Sequence, residues 1–84
     1  MKQDDIRKRT REVLARVLKV SPEAVADDAS QVQLSEWDSV RHMNVVLALE
    51  NDFGIEFDDA ELPELTSLAL LVAAVERHTA GQAS

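Results

Sequence analysis

The stretch DSVRHMNVVLALENDFGI, residues 38–55, decides the fold of this chain. Asp38 or Ser39 can cap the start of a helix, and Gly54 stands where a helix ends in the left-handed conformation. The residues between them carry too many apolar side chains for a single helical stripe. At 100° per residue they divide into two stripes, one of Val45, Val46, Leu49 and Phe53 and the other of Val40, Met43 and Leu47. One stripe can face a core, and the second must meet another helix, a ligand or a partner protein.

The segment before residue 38 predicts one long helix, one short turn and a loop. The first helix runs from Asp4 or Asp5 to about Leu18, because apolar residues recur at a spacing of 3.6. Ser21-Pro22-Glu23 is typical of a helix start and predicts a short turn through residue 25. Residues 26–37 follow neither the helical nor the strand period, which predicts a long loop. The apolar side chains expected to pin this loop are Val32, Leu34 and Trp37.

The segment after Gly54 predicts a short link and a last helix. Residues 55–57 are predicted to be extended, and residues 58–62 are predicted to form a brief helical turn that ends before Pro63. Thr66-Ser67 caps a helix that we expect to run to about His78, with residues 80–84 as a flexible tail. The core positions of this helix are Leu68, Leu71, Val72 and Val75. Strand patterns and internal repeats are absent, so the sequence predicts a single all-α domain over residues 1–84.

Length and charge exclude several classes of protein. With 84 residues, the chain buries only about 60% of its unfolded surface, which argues against an enzyme with a deep pocket. The net charge is −7, divided into +4 for residues 1–20 and −11 for the rest. An acidic body repels phosphate backbones, so we expect no nucleic-acid binding, and the basic first helix is interpreted as a solvated face that attracts the acidic body. There is no cysteine, so disulfides and thiolate metal sites are excluded and the redox compartment cannot be inferred. No membrane-spanning apolar run and no signal peptide are found, which favours a cytoplasmic protein.

The residue pattern gives little support for a catalytic site or a metal site. A calcium loop with Gly54 as its glycine would need acids where Leu49 and Phe53 stand. His42 and His78 lack metal-ligand spacing. Ser39 and His42 lie three residues apart, but no third orienting residue accompanies them as in a nucleophilic triad. We therefore expect no catalytic residues and no specific metal site, and weak divalent-ion binding by the acidic residues of segment 56–61 stays open as an alternative.

Ser39 has two interpretations. The simpler one is that Asp38 or Ser39 is an N-cap. The other is that Ser39 is a modification site, because it follows a long loop and stands at a helix N-terminus. The N–H groups and partial positive charge there favour a phosphate group.

Residues 38–57 resemble the central segment of acyl carrier proteins. That family has D-S-[LM] at the start of a helix that ends in L-E-x-x-F-G-[IV], and this chain has DSV and LENDFGI at the matching offset. The length, the acidity, the long first loop and the run LPELTSL at residues 62–68 match as well. The resemblance implies an antiparallel four-helix bundle with a short third helix and a long loop between helices 1 and 2.

The resemblance also implies a function. Ser39, beside Asp38, would carry 4′-phosphopantetheine, whose thiol holds an acyl group as a thioester. The implied partners are a phosphopantetheinyl transferase, an acyl- or aminoacyl-loading ligase or acyltransferase, and a downstream synthase. The carrier itself would catalyse nothing and would be a monomer. The residues implied in partner binding are Val40, Arg41, Met43, Leu47, Glu50, Glu56, Asp58 and Asp59, with Asp38 and Glu61 adding to the acidic steering surface.

Two departures from the family pattern favour a specialised pathway. Carriers of primary fatty-acid synthesis usually have G-A-D-S, whereas this chain has E-W-D-S at residues 36–39. Arg41 and Asn44 also stand where those carriers tend to have acids. We therefore expect an acyl carrier of polyketide, modified-lipid or similar biosynthesis. Two alternatives stay open: an aminoacyl, peptidyl or D-alanyl carrier loaded by an adenylating ligase, and an unmodified carrier-like adaptor subunit.

Overall fold

Three α-helices and two single 3₁₀ turns make up the fold in the computed structural model, which describes residues 3–82. Helix α1 spans Gln3–Leu18, α2 spans Ser39–Phe53 and α3 spans Leu68–Gln82. The first 3₁₀ turn is Pro22–Ala24 and the second is Leu62–Glu64. Within residues 3–82 the only β pairing is an isolated bridge between Ser30 and Ser67, so the predicted all-helical class is confirmed. None of the described helices is long and apolar enough to cross a membrane.

The core forms where α1 packs against both α2 and α3. The apolar stripes predicted to face inward do so: Val45, Val46 and Leu49 of α2 are buried, as are the four predicted core positions of α3. Phe53 packs at the edge of this cluster. Thr10 of α1 is fully buried, and its hydroxyl donates a hydrogen bond of 2.7 Å to the carbonyl of Ile6. This bond satisfies a polar group that would otherwise be costly to bury.

Helices α1 and α2 end in the same way. After α2, Gly54 has a φ of 65° and Ile55 N–H donates to the carbonyl of Glu50 at 3.0 Å. After α1, Lys19 has a φ of 60° and Val20 N–H donates to the carbonyl of Ala15 at 3.0 Å. Both are Schellman endings, in which a left-handed residue lets the chain cap the last carbonyls. The sequence predicted this ending only at Gly54, because lysine gives no signal for a left-handed residue.

The long loop between α1 and α2 is present, but Val32 does not pin it. Trp37 is buried and Leu34 packs against the core, whereas Val32 is 96% exposed. Backbone bonds hold the loop instead: Gln31 N–H donates to Thr66 O, and Leu68 N–H donates to Ala29 O, each at 2.9 Å. Residues 30–34 close into a turn by two bonds to the carbonyl of Ser30, which places Val32 at its tip.

Two other boundaries differ from the sequence expectation. The short helical element before α3 is the second 3₁₀ turn, which includes Pro63 instead of ending before it. Proline fits there because the first residues of a helical turn need no N–H donor. Helix α3 continues past His78 to Gln82, so residues 80–82 of the expected tail are helical. Residues 83 and 84, the end of that tail, lie outside the described residues.

Candidate functional site

Ser39 is the first residue of α2, and Asp38 is the residue that caps it. The backbone of Asp38 is extended, and its Oδ1 accepts a hydrogen bond of 2.8 Å from the N–H of Arg41. Because Asp38 supplies the capping bond, the hydroxyl of Ser39 is not required for it. Ser39 is exposed at the end of the long loop. The structure therefore presents a serine hydroxyl to solvent at a helix N-terminus.

Arg41 folds back over the residues that precede the helix. Its Nη1 donates a hydrogen bond of 3.2 Å to the carbonyl of Glu36 and lies 3.5 Å from Oδ2 of Asp38. Both partners of this ion pair are about half exposed, so the pair adds little to stability. The ion pair instead places a positive and a negative group together beside Ser39.

A hydrogen-bonded bridge runs from Trp37 through His42 to Leu62. Trp37 Nε1 donates to His42 Nδ1 at 3.0 Å, and His42 Nε2 lies 2.8 Å from the carbonyl of Leu62. Because an indole nitrogen can only donate, Nδ1 must be the acceptor and Nε2 carries the proton of a neutral ring. Both ring nitrogens of His42 therefore have hydrogen-bond partners other than Ser39. His42 is buried as a packed residue of the helix flank, and the geometry gives no Ser–His nucleophile.

A cleft opens next to Ser39. Its volume is about 410 Å³, and it is lined by Gln31, Ser39, His42, Met43, Leu62 and Pro63. The lining comes from the long loop, from α2 and from the second 3₁₀ turn. Gln31 also donates a hydrogen bond of 3.3 Å from Nε2 to the carbonyl of Trp37, which ties the loop to the residue that precedes the cap.

Comparison with known proteins decides the family. Residues 8–75 match the family described as phosphopantetheine attachment site. The acyl carrier protein of Thermosynechococcus vestitus is 32% identical over 68 residues, which cover 81% of this chain and 84% of that protein. The acyl carrier protein of Campylobacter hominis is 36% identical over 66 residues, which cover 79% of this chain and 84% of that protein. This chain belongs to the acyl carrier protein family.

A solved structure agrees with this assignment. The solution NMR structure of a holo acyl carrier protein from Geobacter metallireducens matches with a TM-score of 0.75 and 25% identity. The match covers 84% of this chain and 82% of that one. As an acyl carrier protein, the chain is a carrier and not a catalyst, and it holds covalently attached 4′-phosphopantetheine. Its partners include a phosphopantetheinyl transferase and enzymes that handle acyl groups.

The second apolar stripe of the acyl carrier's α2 stays on the surface. Val40 is 72% exposed, Met43 46% and Leu47 56%. No described element covers these side chains, and Met43 also lines the cleft beside Ser39. Of the two apolar stripes predicted from the sequence, one therefore packs in the core and the other is exposed.

The acidic residues expected to form one steering surface divide into two groups. Asp38, Glu56, Asp58 and Asp59 are exposed. Glu50 is half-buried, and its Oε2 accepts a hydrogen bond of 2.8 Å from the N–H of Phe57. Glu61 is also turned inward, where Oε1 pairs with Arg77 and Oε2 with His78, each at 3.0 Å. The carboxylates of Glu50 and Glu61 therefore have structural partners in the carrier itself.

Glu61 bonds to three other residues, whereas the sequence predicted only a member of the acidic steering surface. Burial raises its pKa, but the backbone N–H of Asp58 and the side chains of His78 and Arg77 lower it by more, so the pKa lies below its ordinary value. The sequence offered no sign of this, since Glu61 is 16 residues from Arg77. The bridge through His42 was missed for a similar reason, because Leu62 is 20 residues away.

Proposed function

We propose that Ser39 is the serine to which 4′-phosphopantetheine is attached. The observation that carries this proposal is an exposed serine at the first position of α2, beside a cap made by Asp38 and at the wall of the cleft. The N–H groups and positive partial charge at a helix N-terminus stabilise a phosphodiester on that hydroxyl. When attached, the group supplies a long arm whose thiol holds an acyl chain as a thioester.

The chain's own residues present this arm to partner enzymes. The exposed Val40, Met43 and Leu47 form an apolar surface next to Ser39 that a partner can cover. Exposed Glu56, Asp58 and Asp59 attract a basic partner over a longer range and speed its association. Binding by this surface places Ser39 at the edge of the interface.

Attachment is tested with Ser39→Ala. We expect wild-type protein, incubated with a broad-specificity phosphopantetheinyl transferase and coenzyme A, to gain the mass of one phosphopantetheine. Ser39→Ala should gain nothing while keeping its helical circular dichroism. Ser35→Ala, which changes another exposed serine, four residues earlier in the long loop, is the matched control and should be modified normally. Modification of Ser39→Ala would refute the proposal.

We propose further that the carrier serves a specialised acyl pathway instead of primary fatty-acid elongation. Arg41 places a cation two residues after Ser39 and next in sequence to Val40 of the exposed apolar stripe, and Asn44 adds no charge. A partner with a basic patch for an acidic carrier meets like charge there, which disfavours the complex.

The double variant Arg41→Asp with Asn44→Glu tests this preference. We expect it to raise kcat/KM with fatty-acid elongation enzymes by roughly tenfold at low ionic strength, through faster association, and to lose the gain in high salt. Unchanged kcat/KM at both salt concentrations would contradict the proposal. Loading of the holo-protein by an adenylating ligase with an amino acid, in place of acyl transfer, would identify an aminoacyl carrier.

A further inference from the structure

The bridge from Trp37 through His42 to Leu62 joins three parts of the chain, and His42 and Leu62 line the cleft beside Ser39. Trp37 belongs to the long loop, His42 to α2, and Leu62 to the segment 58–65 that leads into α3. The side chains of Trp37 and His42 are almost fully buried, with 2% and 8% of their surfaces exposed. A buried link of this kind is rigid, because breaking it leaves a donor or an acceptor without a partner.

The bridge needs a side chain that accepts on one side and donates on the other. Neutral imidazole does both, with Nδ1 facing the indole N–H and Nε2–H facing the carbonyl of Leu62. The two rings also lie close, with centroids 5.9 Å apart. An apolar residue of similar size at position 42 would fill the space but would form no hydrogen bond to Trp37 or to Leu62.

The position of the bridge relates it to Ser39. Ser39 and His42 are three residues apart on α2 and line the same cleft, so they lie on one face of the helix. The other walls of the cleft are Gln31 of the loop and Leu62 and Pro63 of segment 58–65. His42 thus links both the loop and segment 58–65 to the start of α2.

We propose that His42 is a positioning residue for phosphopantetheine transfer, which holds Ser39 and the cleft beside it in one fixed arrangement through its bonds to Trp37 and Leu62. The proposal rests on Ser39 being the attachment site. His42 does not touch the reacting hydroxyl, and its effect is exerted through the backbone that carries Ser39. A transferase then meets a serine that is already placed, so less ordering is needed at the moment of transfer.

The first measurement is the protonation state of the ring in the unmodified protein. Long-range proton–nitrogen NMR of ¹⁵N-labelled protein at neutral pH should show His42 as the Nε2–H tautomer, with Nδ1 unprotonated and hydrogen-bonded. Trp37→Phe, which removes the indole donor, should shift the Nδ1 resonance. A wild-type His42 with its proton on Nδ1 would overturn the proposal, since the bridge could not exist.

The second measurement is the rate of transfer from coenzyme A to folded variants. His42→Leu should lower kcat/KM of the transferase by roughly ten- to a hundredfold, because a small misplacement of a reacting group costs rate on that order. His42→Gln, whose amide can accept and donate, should recover most of this loss. Thr10→Val is the matched control, because it deletes a buried hydrogen bond of α1 and should leave the rate unchanged. If His42→Leu does not fold, Trp37→Phe takes its place with the same expected loss.

The other possible results of these measurements separate the positioning role of His42 from the assignment of Ser39. A folded His42→Leu that is modified at the wild-type rate would overturn the positioning role, as would equal losses in the leucine and glutamine variants. Neither result would affect the assignment of Ser39. Modification of Ser39→Ala at the wild-type rate would refute the attachment site and the positioning role with it.

Discussion

At the scale of single residues, Glu61 shows how one carboxylate joins segment 58–65 to α3. Its Oε2 accepts a hydrogen bond of 2.9 Å from the N–H of Asp58, and both oxygens contact the last turns of α3 through Arg77 and His78. The ring of His78 in turn meets the edge of Phe57, with centroids 5.2 Å apart. Segment 58–65 is therefore fastened to α3 on one side by Glu61 and to α2 on the other by His42.

The lowered pKa of Glu61 predicts a pH dependence of stability. Because the pKa is lower in the folded than in the unfolded state, the ionised carboxylate stabilises the fold at pH above the ordinary pKa that Glu61 has in the unfolded chain. That stability is lost as the pH falls through the folded pKa. We expect Glu61→Gln to be less stable than wild type at neutral pH and the difference to shrink in acid, as measured by denaturant unfolding across pH. Glu64→Gln, an exposed neighbour, is the control, and parallel curves for wild type and Glu61→Gln would contradict the prediction.

At the scale of elements, the ends of α1 and α2 form a natural pair for comparison. Both use the same Schellman hydrogen bond, but one left-handed residue is glycine and the other is lysine. A side chain in this conformation is strained by roughly 1–2 kcal/mol per residue. Nothing lies within 4 Å of the position that a Cβ at Gly54 would take, so any cost there is conformational and not steric.

Reciprocal substitutions test this reasoning. Gly54→Ala should lower the free energy of unfolding by about 1 kcal/mol, and Lys19→Gly should raise it by a similar or smaller amount, about 0.5–1 kcal/mol. The smaller gain follows because glycine also increases the entropy of the unfolded chain. Denaturant midpoints at a constant slope give both values. A stabilising Gly54→Ala would show that the left-handed conformation is not what position 54 requires.

At the scale of the whole molecule, the basic face of α1 meets the acidic remainder of the chain. Arg9 pairs with Asp52 of α2 at 2.9 Å and stacks over the ring of Phe53, 5.0 Å from its centroid. Arg11 pairs with Asp27 of the long loop. These contacts agree with the expectation that the basic helix attracts the acidic body. A net charge of −7 nevertheless remains over 84 residues.

This excess charge predicts a response to salt. Because screening weakens repulsion between exposed carboxylates, we expect added salt or millimolar divalent cations to raise the Tm. Arg9→Gln should lower the Tm in low salt and respond more strongly, since it removes a pair worth about 0.5–1 kcal/mol and one compensating charge. Thermal melts of both proteins at increasing salt measure this. A Tm that does not change in either protein would show that α1 already balances the acidic body.

The sequence by itself determined the helices that bury local apolar stripes and the ends that carry local signals. Residues 38–54 are the clearest case, because the helix start at Asp38 or Ser39, the two stripes and the left-handed Gly54 all depend on local signals, and the structure then identified Asp38 as the cap. The position of Ser39 at the start of α2 followed from the same stretch. The resemblance to acyl carrier proteins used these residues as well, and the comparisons confirmed the family.

Only the tertiary structure decided which side chains meet across long stretches of chain. Val32 looked like an anchor by its apolar character, but backbone bonds of Gln31 to Thr66 and of Leu68 to Ala29 hold the loop and leave Val32 at the tip of a turn. His42, Leu62 and Glu61 have polar groups whose partners depend on how segment 58–65 packs against α2 and α3. Hydrogen bonds act over about 3 Å and leave no periodic mark in a sequence, whereas burial of an apolar stripe repeats at every helical turn. The bridge beside Ser39 could therefore be identified only from the packed structure and not from the sequence.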